Sequence, residues 1–170
     1  GYDHASVGFI DDMDQPEAVS KFEYRFDYRD SLDDFRPDWG VRNRLTKNDA
    51  LIALRWLNDN YPTSSYFFIN HPSRLPTADY PINDIRDFIA AAPEICLGFE
   101  GMPGHQKYHN RGKYNYWNEN NDARTYGGAD PILAHLGGLW DALLSEGHRF
   151  WTIANSDFHR TLHDFLPGEY

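Results

Sequence analysis

The sequence is poor in cysteine and contains no long apolar run. Cys96 is the single cysteine among 170 residues, which excludes an internal disulfide. It lies within the apolar run 95–97, and this setting predicts a buried thiol rather than a nucleophile. No apolar run approaches the roughly 20 residues of a membrane-spanning helix. The first residues do not form a targeting segment, so we expect a protein without an anchor, in a compartment that the sequence leaves open.

Positive charge is also scarce. The chain has 16 basic and 26 acidic residues, a formal net charge of -10, which disfavours a surface built to hold nucleic acid. Hydrophobic residues make up 41% and aromatic residues 16%, so we expect a globular protein although the mean hydropathy is -0.70. The length fits a single domain over residues 1–170.

Helices and strands are predicted to alternate along the chain. Thr46 can cap the first helix, Ile82, Ile85 and Ile89 form one face of the second, and Asp130 followed by Pro131 opens the third. The predicted elements are a helix over 46–60, a strand over 65–69, a helix ending at Pro93, a strand over 95–99, a helix over 130–147 and a strand over 150–154. This alternation predicts an α/β fold with a parallel sheet, of which a closed barrel is one form.

Polar residues follow the predicted strands. His71, Glu100 and Asp157 come after predicted strands, and binding sites of α/β folds lie at the carboxyl ends of strands. We therefore expect these side chains near a site. The alternative is that strand ends are polar because they meet solvent.

Two of these positions favour metal binding. Asp157 and His159 lie two residues apart in an extended segment and so point to the same side, and a carboxylate with an imidazole suits zinc, manganese or iron. The alternative is a hydrogen-bonded turn. Pro72 predicts an extended backbone at His71, with the ring aimed out from the sheet, although a lone strand-end histidine is usually a surface residue.

Three segments, in order, resemble the motifs of the polymerase and histidinol phosphatase (PHP) family. Residues 1–8 (Gly-Tyr-Asp-His-Ala-Ser-Val-Gly) are similar to the motif that ends the family's second strand, with Tyr2 in place of the usual threonine. Residues 69–74 (Ile-Asn-His-Pro-Ser-Arg) and 154–159 (Ala-Asn-Ser-Asp-Phe-His) resemble two later motifs. The resemblance implies a distorted (β/α)7 barrel whose metal ligands are His4, His71, Asp157 and His159.

The chain departs from the family pattern in two ways. It contains no His-x-His motif, which supplies two ligands in the family's first strand. The glutamate that bridges two metal ions has no clear counterpart, and Glu23 is the one residue that we can suggest. The resemblance therefore implies a PHP-like domain that runs from the second to the last motif and lacks the first strand and the C-terminal end, with an incomplete barrel and site.

Further segments resemble those of uncharacterised bacterial PHP-domain proteins, namely 98–106, 124–129 and 138–144. The function implied is hydrolysis of a small phosphate ester by a hydroxide formed on divalent zinc, manganese or iron, two or three ions in a complete site. Asp157 and His159 would carry the chemistry. The residues expected near the substrate are Arg74, Glu100, His105 and Arg160; for both arginines a surface ion pair is the alternative.

Two other functions fit the same sequence. One is a non-catalytic PHP-like scaffold with a degenerate metal site, which binds a partner or copies of itself; the missing His-x-His motif and the aromatic residues Tyr114, Tyr116 and Trp117 favour it. The other is sugar binding by the polar, aromatic loop 108–122. The sequence leaves the oligomeric state open. Four further histidines have no diagnostic spacing and are interpreted as packing, loop or surface residues: His109, His135, His148 and His163.

Overall fold

The computed structural model describes residues 4–10, 15–28, 30, 36–72, 80–102 and 129–155. Within them the strands are β1 (Ala5–Phe9), β2 (Ser65–Asn70), β3 (Cys96–Met102) and β4 (Trp151–Ala154). The helices are α1 (Gln15–Phe26), α2 (Lys47–Asn60), α3 (Ile82–Ala91), α4 (Pro131–Ala134) and α5 (Leu139–Ser145), with a 3-10 turn at Pro37–Trp39. Chain order thus alternates strands and helices, as predicted.

The four strands form one sheet in the order β1-β2-β3-β4. β3 and β4 are parallel, with Gly98 paired to Trp151 and Glu100 to Ile153. β1 is antiparallel to β2. The N–H of Ile10, just past the end of β1, donates to the Ser64 carbonyl at 2.8 Å, so the end of β1 lies beside the start of β2. The sheet is therefore mixed and the fold is α/β.

The architecture confirms the predicted α/β fold class, and its finer form, a closed barrel, stays a prediction. The described residues form an open sheet of four strands and do not close a barrel. The prediction of a parallel sheet is wrong for β1, because the alternation of helices and strands that predicts it begins only at residue 46 and carries no signal for the strand before it.

Helix α2 forms because its first turn is capped from both sides. The Thr46 hydroxyl accepts a hydrogen bond from the Asp49 N–H at 3.2 Å, and the Asp49 carboxylate accepts one from the Thr46 N–H at 2.8 Å. Leu54 and Leu57 are fully buried on its inner face. Lys47 joins α2 to α3 through contacts of 2.5 Å with both Asp84 and Asp87, and these two carboxylates raise the pKa of its amine.

The predicted third helix is two helices. Asp130 caps the first as expected, since its carboxylate accepts a hydrogen bond from the Ile132 N–H at 2.9 Å. The helix nevertheless stops after Ala134, and α5 starts only at Leu139. Gly137 has φ +73°, a conformation that breaks a right-handed helix, so the prediction of one helix over 130–147 is wrong.

The chain divides into two compact units. The N-terminal unit comprises Gly1–Phe68 and Pro81–Leu97, and the C-terminal unit comprises Ile69–Tyr80 and Gly98–Tyr170. Leu54, Leu57 and Phe88 are central to the core of the N-terminal unit. In the C-terminal unit, Phe99 is fully buried and packs against Phe150, at 5.5 Å between ring centroids. The prediction that residues 1–170 form a single PHP-like domain stays a prediction.

Two smaller expectations can be compared with the structure. Cys96 is buried, as predicted, and burial raises the pKa of its thiol to about 12, so the thiolate is absent at neutral pH. Among the helices of the described residues, none has both the length and the apolar character needed to cross a bilayer.

Candidate functional site

A pocket of about 370 Å³ lies in the N-terminal unit between α1, β1 and the start of α2. Strand β1 contributes Val7 and Phe9 to its wall, and Phe67 of β2 adds a further aromatic ring. His4, which directly precedes β1, also lines it. The pocket thus combines apolar walls with a side chain that the family resemblance identifies as a metal ligand.

Helix α1 supplies one complete side of the pocket. Val19, Phe22, Glu23 and Phe26 line it together with Asp27, which directly follows the helix. Their spacing of i, i+3, i+4, i+7 and i+8 places them on one helical face. The Phe22 and Phe26 rings are in contact, with centroids 5.1 Å apart. The face therefore presents an aromatic stripe flanked by two carboxylates.

Arg44 reaches the pocket from the segment that leads into α2. Its guanidinium donates to Asp30 at 3.2 Å and to the carbonyl oxygen of Tyr24. Both side chains of the ion pair are largely buried, at 13% and 9% exposure. The positive charge of Arg44 is thus balanced by Asp30, which does not line the pocket.

A second arginine is held behind the pocket wall by aromatic rings. The Arg25 guanidinium carbon lies 4.9 Å from the Phe26 ring centroid and 5.4 Å from that of Trp56. This is the geometry of a cation–π contact. Burial lowers the pKa of Arg25, although a guanidinium stays protonated in any protein. Arg25 therefore packs against Phe26, one of the aromatic rings that line the pocket.

The carboxylate of Asp49, another lining residue, is held by the cap of α2. It accepts hydrogen bonds from the Thr46 hydroxyl at 2.8 Å and from the Leu45 N–H at 3.1 Å. The Thr46 hydroxyl is the largest cause that lowers the pKa of Asp49, and the two backbone donors add to it. Asp49 therefore stays ionised, in a fixed orientation, at neutral pH.

In the C-terminal unit, His71 has an uncommon backbone conformation. Its φ is +31°, and it is the single non-glycine residue with positive φ among the residues that the structure describes. The expected extended backbone is therefore wrong at this position. The chain bends directly after β2, and Pro72 disfavours the right-handed helical region, so the bend is made with positive φ.

Glu100 is almost completely buried, at 1% exposure, although it carries an ionisable side chain. The pairing of β3 with β4 shifts register between Glu100 and Met102, which marks a bulge. A Cβ atom at Gly101 would lie 2.3 Å from Thr152 Oγ1 and 2.8 Å from Leu133 Cδ2, so a larger residue would force these two side chains to move. Asp130 is fully buried nearby, with its N–H donating to the Gly101 carbonyl at 2.7 Å.

Three of the predicted site residues fall within the described part of the chain. His4 lines the pocket of the N-terminal unit, together with Glu23, the residue suggested for the bridging glutamate. His71 and Glu100 belong to the C-terminal unit. In the described ranges no group of three or more histidine, cysteine or carboxylate side chains is arranged to hold a metal ion. The other predicted residues lie outside the described residues: Arg74, His105, Asp157, His159 and Arg160.

Apart from Glu23, sequence reasoning missed the residues of the α1 face. Its signal was present in the sequence, because Phe22 and Phe26 lie four residues apart, as do Glu23 and Asp27. The loop 108–122, with Tyr114, Tyr116 and Trp117, lies outside the described residues, so the sugar-binding interpretation stays a prediction.

Comparisons of the chain with protein-family models, with curated proteins and with solved structures gave no significant match.

Proposed function

We propose that this chain belongs to a metal-dependent phosphoesterase of the PHP type, built on a distorted (β/α)7 barrel. His4, His71, Asp157 and His159 are the proposed ligands of two or three divalent ions. The substrate is a small phosphorylated molecule. Imidazole and carboxylate donors of this kind suit zinc, manganese or iron.

The observation that supports the proposal best is the backbone of His71. A non-glycine residue with positive φ costs about 1–2 kcal/mol, and such residues occur preferentially at functional sites. His71 has this conformation and lies at the carboxyl end of β2, where α/β proteins bind their ligands. The residue that the motif resemblance identifies independently is thus also the one with the strained backbone.

The setting of His4 adds separate support within the N-terminal unit. Its side chain lines a pocket large enough for a small molecule, and Glu23 lines the same pocket.

The bound ions would lower the pKa of a water molecule and polarise the phosphoryl group. The chain's own residues would do the rest. His4, His71, Asp157 and His159 would hold the ions, and Arg74 and Arg160 would bind the phosphate through paired N–H donors as charge develops. Glu100 is too deeply buried to reach a substrate freely, so its proposed role is to orient neighbouring groups.

Metal analysis and phosphatase assays of the same purified samples test this function. The sample is the full natural protein that contains this chain. It should contain stoichiometric zinc, manganese or iron and hydrolyse a generic aryl phosphate. Asp157→Ala and His71→Ala should each lose metal and lower kcat/KM by at least about a hundredfold. Loss of a direct metal ligand should cost at least as much as loss of a residue that only orients a ligand.

His135→Ala is the matched control, because this histidine is exposed in the turn between α4 and α5. It should retain metal and activity, and circular dichroism should show that all three variants fold. Turnover that persists in Asp157→Ala with metal still bound would disprove the ligand assignment. A folded protein without stoichiometric metal and without turnover would instead support the non-catalytic scaffold.

A further inference from the structure

The pocket beside α1 contains aromatic rings as well as a proposed metal ligand. His4 lines it, and so do Phe9, Phe22 and Phe26. Phe22 and Phe26 are four residues apart in α1, about one helical turn, and therefore lie on the same face of the helix. These three phenylalanines are called the aromatic wall below. A molecule that fills the pocket contacts both the histidine and the aromatic wall.

The rings of the aromatic wall are held in place by one another and by Trp56 of α2. The Trp56 ring centroid lies 6.2 Å from that of Phe22 and 5.7 Å from that of Phe26. The Phe22 and Phe26 rings are 5.1 Å apart, and Phe9 meets Phe22 edge to face at 6.4 Å. Rings that are already packed need little ordering when a ligand binds, and this lowers the entropic cost of binding.

The two rings of α1 keep accessible surface in spite of this packing. Phe22 and Phe26 are half-buried, whereas the core residues Phe88 and Phe99 are at most 1% exposed. Covering accessible aromatic surface with apolar carbon is favourable, and the gain increases with the area covered. The aromatic wall therefore favours a ligand that has an apolar group.

The remaining space of the pocket fits an organic group better than a phosphate alone. The volume of about 370 Å³ falls in the range of small-molecule sites. Two charged residues of the lining are already held within the protein: Arg44 contacts Asp30 at 3.2 Å, and Asp49 accepts the hydrogen bonds of the α2 cap. In the proposed hydrolase the metal ions bind the phosphate, so the organic part of the ester is left to contact the aromatic wall.

We propose that the aromatic wall binds the alcohol part of the substrate, and that this alcohol carries an aromatic ring. The preferred substrate is thus a phosphate monoester of an aromatic alcohol rather than of a sugar or another polyol. The inference rests on the proposed function, because His4 is a metal ligand only there. It deepens that function, since the metal ligands by themselves do not determine the organic group.

Hydrolysis of two matched esters by the full natural protein tests the inference. The esters are 4-phenylbutyl phosphate and butyl phosphate, which have the same reacting group and differ only in the phenyl ring. The phenyl compound should have a kcat/KM at least about tenfold higher, because the wall buries its ring. Equal kcat/KM for the two esters, with both hydrolysed, would overturn the inference and leave the proposed hydrolase intact.

A matched pair of variants locates the preference in the pocket. Phe22→Leu removes one ring of the aromatic wall and should reduce the preference for the phenyl ester at least about threefold, with butyl phosphate unaffected. Phe68→Leu is the control, because it makes the same change at a half-buried ring that does not line the pocket, and it should keep the full preference. Equal reductions in the two variants would count against the aromatic wall. Circular dichroism checks folding, and Phe26→Leu serves as a second wall variant.

Binding of the alcohol product separates this inference from the proposed function. Calorimetric titration with 4-phenylbutanol, on metal-free protein kept in a chelator, requires no turnover. The alcohol should bind at millimolar concentration, and at least about threefold more weakly to Phe22→Leu than to the unchanged protein. This result without hydrolysis of either ester would support the aromatic ligand class and disprove the phosphoesterase. Absence of alcohol binding, with or without hydrolysis, would overturn the inference.

Discussion

Two helical regions begin with a capping residue that the sequence reveals, yet the helices that follow differ in length. Thr46 opens α2, which then runs for 14 residues to Asn60. Asp130 opens α4, which ends after 4 residues at Ala134, and the chain resumes helix only in α5. The difference lies in Gly137 and Gly138, which have no counterpart in α2. A cap determines where a helix starts, whereas the residues that follow determine how far it extends.

The largest effect is expected from the buried cap. Asp130→Ala should lower the free energy of unfolding by about 2 kcal/mol, because it leaves the buried Ile132 N–H without its acceptor. Urea denaturation measures this. Asp130→Asn keeps an oxygen acceptor and should lose less than half as much. An equal loss in both variants would indicate that the charge of Asp130, rather than its capping bond, is needed.

The break between α4 and α5 should be the next most sensitive position. Gly137→Ala should cost about 1.5 kcal/mol, because φ is +73° there and an L-residue pays for the left-handed conformation. No atom lies within 4 Å of the added Cβ, so the cost is conformational and not steric. Thermal unfolding of the variant measures it. If Gly137→Ala instead stabilised the protein, the region would be able to form the single helix that the sequence predicted.

The exposed cap of α2 should contribute less than the buried one. Thr46→Ala removes the hydroxyl that accepts from the Asp49 N–H, and we expect a loss of about 1 kcal/mol in urea denaturation. Thr46→Ser retains the hydroxyl and serves as the control. A larger loss at Thr46 than at Asp130 would reverse the ranking that burial implies.

The smallest effect is a pH dependence of the α2 cap. The Thr46 hydroxyl is the main cause that lowers the pKa of Asp49 in the folded protein. The stability this provides is present above the unfolded value of 3.8 and is lost as the pH falls through the lower folded pKa. The hydrogen bond between Thr46 and Asp49 is exposed to solvent, so screening keeps this contribution smaller than that of either cap. An NMR titration of Asp49 should show a higher pKa in Thr46→Ala; an unchanged pKa would contradict the assigned cause.

The candidate sites differ in how far the sequence could reveal them. His4 and His71 were identified from short motifs, and Glu23 was suggested as a possible bridging residue. The pocket wall made by Phe22, Phe26 and Asp27 was not identified, although its helical spacing is present in the sequence. Spacing shows which residues share a helical face, but it does not show whether that face meets a cavity or a packed core.

The sequence by itself determined where most elements lie. Local signals act on the residues next to them. Such signals are the caps at Thr46 and Asp130, the apolar runs of β2 and β3 and the apolar spacing of α3. The direction of β1, the positive φ of His71 and the pocket between α1, β1 and α2 were decided only by the tertiary structure. Each depends on contacts between residues far apart in the chain, and such contacts leave no periodic pattern in the sequence.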